Sequence, residues 1–219
     1  NYLNLLKNNK IYFNEKIVLN IDIVDEILEK KPKVIHKKIN KYSKIGLING
    51  LYATTNGTGG ITMIEAYKTF HETKLALIIT GQQGDVMKES IQCAKTIAWN
   101  LLPEKNRKEI YKDLKDNCYG IHIHCPEAAT PKDGPSAGTA ITLTILSLLA
   151  NVKIFNNIAV TGEINLNGEI MAVGGIDLKI EGGKKAGVSK ILLPYENKDD
   201  FYIIKKNKPL IDANIEIIF

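Results

Sequence analysis

The residues whose types and spacing carry the most chemistry lie in "PKDGPSAG", positions 131–138. Gly134, Ser136 and Gly138 spell G-x-S-x-G, the letters of a hydrolase nucleophile elbow. A nucleophilic serine needs a base. The four histidines, His36, His71, His122 and His124, all precede Ser136. An α/β-hydrolase places its histidine after the serine, so that triad is excluded by order. The elbow also needs a strand directly before the serine, and a Pro-Lys-Asp-Gly-Pro loop stands there instead. A Ser-x-x-Lys pair fails because Thr139 occupies the third position on, and no Gly-Lys-[Ser/Thr] occurs for a phosphate loop. A lysine from a distant element remains, provided burial lowers its pKa enough to supply a neutral amine near pH 7. Most lysines here lie in hydrophilic stretches; Lys179 follows "AVGGIDL" and precedes Ile180.

Two readings stay open on these residues alone. Ser136 fits an N-cap, which serine before a helix favours for capping alone, ahead of a nucleophile. Lys179 fits a solvated helix lysine ahead of a base. In either case a serine at a helix start sits beside unpaired N–H groups and the positive end of the dipole, which suit an oxyanion.

The elements that must position these residues begin at Ile45. "IGLINGLYATT" and "GGITMIEAYKTF" read as consecutive strands around the turn "NGTGG" (56–60), and "KLALIITG" (74–81) as a third strand. "GDVMKESIQCAKTIAWNLL" (84–102) has helical spacing of Val86, Met87, Ile91, Ala94, Ile97, Ala98 and Leu101. Residues 103–116 read as a charged helix or loop, and "GIHIHCP" (120–126) alternates like a half-buried strand. An apolar helix is expected over 136–150, strand–turn–strand over 157–175, a glycine-punctuated helix over 174–187 and a strand into a turn over 189–197. This order predicts a single mixed α/β (α+β) domain over 44–219. Residues 1–43 are Lys/Asn-rich, with one amphipathic segment at 20–31, capped at Asn20 or Asp22 and stopped by Pro32.

Composition narrows the class. The 219 residues are 44% hydrophobic and 24% charged, ordinary globular values that exclude whole-chain disorder. The net charge of +5 comes from Lys-rich stretches with a single arginine, Arg107. Heavy use of Lys, Asn and Ile along the chain reads as coding bias rather than a nucleic-acid groove, which wants arginine and interleaved aromatics. Cys93, Cys118 and Cys125 form no readable disulfide framework and favour a reducing compartment. The longest apolar run, "AITLTILSLLA" (140–150), falls short of the roughly 20 residues of a bilayer span, so no membrane partner is expected. The start, "NYLNLLKNNK", has neither Met nor a targeting pattern, and a piece of a longer protein is expected.

"PKDGPSAG" followed by "TGEINLNGEIMAVGGIDLKIEGGKKAGVSKILLPYEN", with "GDVMKESIQ" and "IHIHCPEAAT" upstream, resembles the proteolytic domain of the A-type ATP-dependent Lon proteases over roughly residues 45–200. The resemblance implies a serine endopeptidase with a Ser–Lys dyad on a mixed α/β fold particular to that family. Ser136 falls on the nucleophile and Lys179, 43 positions later, on the general base. Thr161, in "TGE", matches a threonine whose hydroxyl would orient the lysine, though a strand-end threonine reads as well. Asp133 matches an acid that stabilises the loop or pairs with Lys179 in a resting form. His122 and His124 match an "HVH" pattern beside the site, on one strand face. Structural or substrate-side roles suit them better than zinc, for which the spacing with Cys125 is wrong; a Cys125–His124 dyad is disfavoured because neighbours in a strand point apart. This chain departs from the pattern at Ala128, at Asp177-Leu178 and at Gly182-Gly183.

The resemblance further implies a homo-hexamer in the full-length protein, unfolded protein substrates, and an ATPase module that binds ATP and Mg²⁺ outside this chain. Residues 1–43 then read as linker and the end of that module's small helical domain. No cofactor is expected within these residues. DNA binding elsewhere in the protein stays open as a partner, since some relatives bind it. The coding bias leans toward a mitochondrial matrix, with bacterial cytoplasm as the alternative.

Overall fold

The computed structural model describes residues 37–126 and 132–219. The expected 20–31 helix, the start of the proposed linker, Ala128 and Pro131 lie outside the described residues. Strand β1 (Leu47–Ala53) is buried on both faces over its first five residues, so it runs through the middle of a sheet. It turns through 54–58 into β2 (Gly59–Phe70), with Leu47 opposite Glu65 and Ala53 opposite Gly59 in an antiparallel register. Around this hairpin gather β3 (Leu77–Thr80), β4 (Tyr119–His124), β5 (Ile158–Val160), β8 (Lys190–Leu192) and β9 (Glu216–Ile218), in the order β3-β4-β2-β1-β5-β8-β9. The pairs β3–β4, β1–β5, β5–β8 and β8–β9 are parallel, so the sheet is mostly parallel.

Parallel neighbours need crossovers, and helices supply them on both faces. Helices α1 (Asp85–Leu101), α2 (Glu104–Asp116) and α3 (Gly138–Ala150) cover the face that carries Ile48, Ile64, Ile121, Ile123 and Val160. Helices α4 (Ile176–Ala186) and α5 (Lys198–Asn207) cover the other face over Leu51, Ile61, Ala159 and Ile191. The period-2 alternation of the strands thus feeds two separate cores. Among the described residues no helix is long and apolar enough to cross a membrane. The mixed α/β fold expected from the element order is the one observed.

The differences are local. Residues 103–116 are helical, as α2. The 157–175 stretch does not form one strand–turn–strand unit: β5 ends at Val160, and β6 (Glu163–Ile164) with β7 (Ile170–Met171) forms a separate two-stranded sheet. The ladder ends at Thr161-Gly162: the Thr161 amide still bonds Leu192 O of β8, while the Thr161 hydroxyl and the Gly162 amide turn to the Ser136 carbonyl. Helix α5 and strand β9 went unread in the Lys-rich C-terminal stretch; β9 is a three-residue edge strand whose type only its pairing with β8 decides.

The helix that carries Lys179 lies on β2 backbone to backbone. A Cβ at Gly182 would stand 2.2 Å from Gly60 N, and a Cβ at Gly59 would stand 1.9 Å from Leu178 O. Glycine inside a helix costs roughly 0.5–1 kcal/mol relative to alanine, but here it permits a contact no side chain allows. Gly182→Val forces α4 off the sheet. The expected loss is about 1–3 kcal/mol of stability, as for overpacked cores, read as a lower urea midpoint.

Candidate active site

Ser136 sits in a 3-10 turn, Pro135–Ala137, that leads straight into α3. Its side chain caps nothing: the residue before the turn is Gly134, the residue before the helix is Ala137, and neither end has a side-chain cap. The capping reading therefore fails, because Ser136 lies inside the turn rather than ahead of it. Its backbone is held from the other side. The Ser136 carbonyl accepts from Gly162 N at 2.9 Å and from Thr161 Oγ1 at 3.1 Å. Thr139 returns the contact, donating to Gly162 O from both its amide and its hydroxyl at 3.0 Å.

Lys179 stands in the first turn of α4 and is only 3% exposed. Its amine donates to Thr161 Oγ1 at 3.0 Å. The one hydroxyl proton of Thr161 goes to the Ser136 carbonyl, which leaves its oxygen lone pairs to receive the lysine. Among the described residues the amine has no ion-pair partner and makes no hydrogen bond to Ser136 Oγ. Burial lowers its pKa from 10.5 to about 8. The solvated-lysine reading of this residue is overturned; the apolar and glycine neighbours around it bury the whole side chain.

Ser136 and Lys179 open on one groove of about 500 Å³, walled by Tyr52, Thr54, Pro135, Glu163, Val173 and Gly175 among others. A cavity of about 290 Å³ adjoins it and shares Ser136, Asp133 and Tyr52; its apolar walls include Leu51, Met87 and Ala137. The far wall of the groove is stapled by Asn197. Val173 N donates to Asn197 Oδ1 at 2.9 Å, and Asn197 Nδ2 returns a bond to Val173 O at 3.1 Å. Tyr52, Thr139, Glu163 and Asn197 were not singled out from the sequence. Glu163 had a signal, the third letter of "TGE"; the other three gain a role only through tertiary contact.

Asp133 is committed to the loop. Its Oδ1 accepts from Gly134 N and from Met87 N, each at 2.9 Å. Met87 is in the first turn of α1, so Asp133 caps that helix from across the loop. Gly84 leaves room for it: a Cβ there would meet the carboxylate carbon at 2.4 Å. Lys132 straps the same loop, pairing with Gln83 as an isolated bridge. Among the described residues Asp133 makes no ion pair with Lys179.

His122 and His124 share a face of β4, as alternation required, and both contact Thr80 Oγ1, at 2.9 and 2.7 Å. Neither is brought to Ser136. Cys125 points into the apolar core at 0% exposure, and burial pushes its thiol up to about 11. It stays a thiol near neutral pH and does not fit a nucleophile.

The buried amine carries a stability signature. The unfolded chain holds its proton up to 10.5, the folded chain only to about 8. Stability therefore rises with pH across that window and, from this group, is flat below it. The full difference is about 3 kcal/mol at 1.36 kcal/mol per unit. Lys179→Met is expected to remove the slope and to raise stability at pH 7 by up to that amount, measured by urea unfolding at pH 7, 9 and 10.5.

Residues 20–218 match the family described as the Lon protease (S16) C-terminal proteolytic domain. A Lon protease homolog of Acanthamoeba polyphaga mimivirus is 41% identical over 218 residues, 95% of this chain and 21% of that protein. The Lon protease of Campylobacter jejuni is 39% identical over 189 residues, 84% of this chain and 23% of that protein. A Lon protease homolog of Phaeodactylum tricornutum, named mitochondrial, is 47% identical over 125 residues, 57% of this chain and 14% of that protein. The chain thus spans about a quarter or less of the length of these relatives, which come from a virus, a bacterium and a diatom. With a family match over nearly its whole length, the chain belongs to the Lon protease (S16) C-terminal proteolytic domain family and is a serine peptidase domain.

Proposed function

We propose that Ser136 and Lys179 form the catalytic dyad of an endopeptidase that cleaves unfolded protein. The observation that carries this reading is the Lys179 amine, buried without a counter-ion and hydrogen-bonded to Thr161, on the same groove as Ser136. Neutral Lys179 takes the proton of Ser136 Oγ as Oγ attacks the peptide carbonyl. The amide N–H groups of Ser136 and Ala137, at the start of the turn, lack intrahelical acceptors and receive the oxyanion. Lys179 then passes the proton to the leaving amine. A water, deprotonated by the same amine, attacks the ester and returns Ser136. For the first step the amine must come within about 2.6–3.2 Å of Oγ, so it leaves or shares the Thr161 hydroxyl as substrate enters. Thr161 is a positioning residue in this scheme: it touches the base and the backbone of the nucleophile, and not the substrate.

The whole protein is proposed to be a homo-hexamer in which an ATPase module, binding ATP and Mg²⁺, feeds substrate to this domain. The residues here do not fit a nucleotide phosphate loop, since no Gly-Lys-[Ser/Thr] is present. Any DNA contact belongs outside the groove. The coding bias favours a mitochondrial matrix over bacterial cytoplasm, and relatives of both kinds support either.

Ser136→Ala and Lys179→Ala are each expected to abolish cleavage of an unfolded casein-type substrate; full activity in either sinks the dyad. Thr161→Val is expected to lower kcat about 10–100-fold with little change in KM, as for loss of an orienting group. In the wild type, kcat/KM for a short peptide should climb with pH and level off above about 8, because only the deprotonated amine is a base. A profile already flat at pH 6–9 contradicts Lys179 in that role.

A further inference from the structure

The proposed reaction leaves one charged side chain of the groove without a task. Among the described residues, three side chains that carry charge near neutral pH wall it: Asp133, Glu163 and Lys179. Asp133 already accepts two backbone N–H groups. Lys179 is buried on Thr161. Glu163 is half-buried, and its carboxylate makes no hydrogen bond or ion pair to any described residue. A part-desolvated carboxylate with no partner, facing a groove, suits a partner that arrives with the ligand.

Its position is fixed with respect to the nucleophile. Glu163 follows Gly162, whose N–H bonds the Ser136 carbonyl at 2.9 Å and whose own carbonyl holds Thr139 at 3.0 Å. On its other side it pairs with Met171 across the β6–β7 ladder. The backbone that bears the carboxylate therefore cannot drift away from Ser136 without breaking the contacts that place Ser136 itself. This is the geometry of a specificity element built on a rigid wall rather than on a free loop.

The sign of the groove follows from which form of Lys179 reacts. When the amine is neutral, as a base must be, the formal charges on the groove walls are the carboxylates of Asp133 and Glu163. A substrate ammonium or guanidinium there finds an acceptor, and the neutral amine of Lys179 does not repel it. A substrate carboxylate meets like charge in a partly dry groove.

We propose that Glu163 is a specificity-determining residue that reads substrate charge, selecting peptides with Lys or Arg near the scissile bond over peptides with Asp or Glu at the same position. This rests on the reading of the Ser136–Lys179 groove as the place of cleavage. Glu163 binds the side chain and takes no part in proton transfer.

The test uses the 219-residue chain and a set of peptides, identical except for Lys or Glu placed in turn at each of the three positions on either side of the cut. The readout is the Lys/Glu ratio of kcat/KM within each protein. The wild type is expected to prefer Lys roughly five- to tenfold at one position, as for a partly exposed ion pair, and to lose most of that preference in 0.5 M NaCl. Glu163→Gln should bring the ratio at that position to about one, and Glu163→Lys should invert it. A Lys preference that survives in Glu163→Gln, or no charge preference at any position in the wild type, overturns the proposal. Where turnover is too low to read, the same ratio is measured as peptide affinity by fluorescence anisotropy with Ser136→Ala, alone and combined with Glu163→Gln. Equal affinities for the Lys and Glu peptides in Ser136→Ala overturn it on that arm. A Ser136→Ala protein that still cleaves would instead defeat the dyad and leave the ratio to judge Glu163 separately.

Discussion

An amine removed from water, with no ion pair to any described residue, is the constraint around which this domain is arranged. Lys179 would ordinarily hold its proton to 10.5. Here burial takes it to about 8. Its place in the first turn of α4 works in the same direction, because the positive end of a helix disfavours a further positive charge. Such a site is costly for the fold and useful for chemistry. Helix α4, which carries the buried Lys179, packs on β2 backbone to backbone at Gly182, Gly59 and Gly60.

Thr161 connects that constraint to the proposed nucleophile, Ser136. One hydroxyl receives the lysine and donates to the carbonyl of Ser136, so the Lys179 amine and the Ser136 backbone are joined through a single atom. Gly162 and Thr139 lock the same stretch from the α3 side. The result fixes the main chain of Ser136 from two directions, and its Oγ makes no hydrogen bond among the described residues. A hydroxyl spent on capping a helix would have to break that bond before each attack. Placement inside a 3-10 turn, with glycine before it and alanine after it, avoids this.

The strand alternation and the helical spacing of 84–102 were readable because each is a local periodicity, and both cores follow from them. Ser136 as nucleophile and Lys179 as base came from resemblance; their local chemistry pointed to a cap and a solvated lysine. The reason lies in what decides each case. Whether Ser136 stands before a turn or inside it depends on one residue of register. Whether Lys179 is dry depends on how closely a helix approaches a sheet, and glycines at 59, 60 and 182 set that distance from far apart in sequence. The same glycines, read within the helix alone, suggest a weaker helix. Strand β9 and the break at Thr161 were likewise invisible, since three-residue strands and an interrupted ladder carry no period of their own. Tyr52, Asn197 and Thr139 belong to ordinary strand, turn and helix positions until tertiary contacts set Tyr52 on the groove, Asn197 on Val173 and Thr139 on Gly162.

The two acids near the site show why partner choice matters more than proximity. A carboxylate against Lys179 would stabilise the ammonium and hold its pKa high, leaving no base near neutral pH. Asp133 lies on the groove wall and is chemically able to do this. Its Oδ1 is instead taken up by the amides of Met87 and Gly134, which ties the loop to the start of α1. Gly84, too small to block that approach, keeps the acid there. The strap of Lys132 to Gln83 holds the loop in the same position. The contacts that anchor the loop are therefore also those that keep its acid off the lysine. Any change that frees Asp133 from α1 removes a helix cap and, in the same movement, offers Lys179 the counter-ion that would silence it.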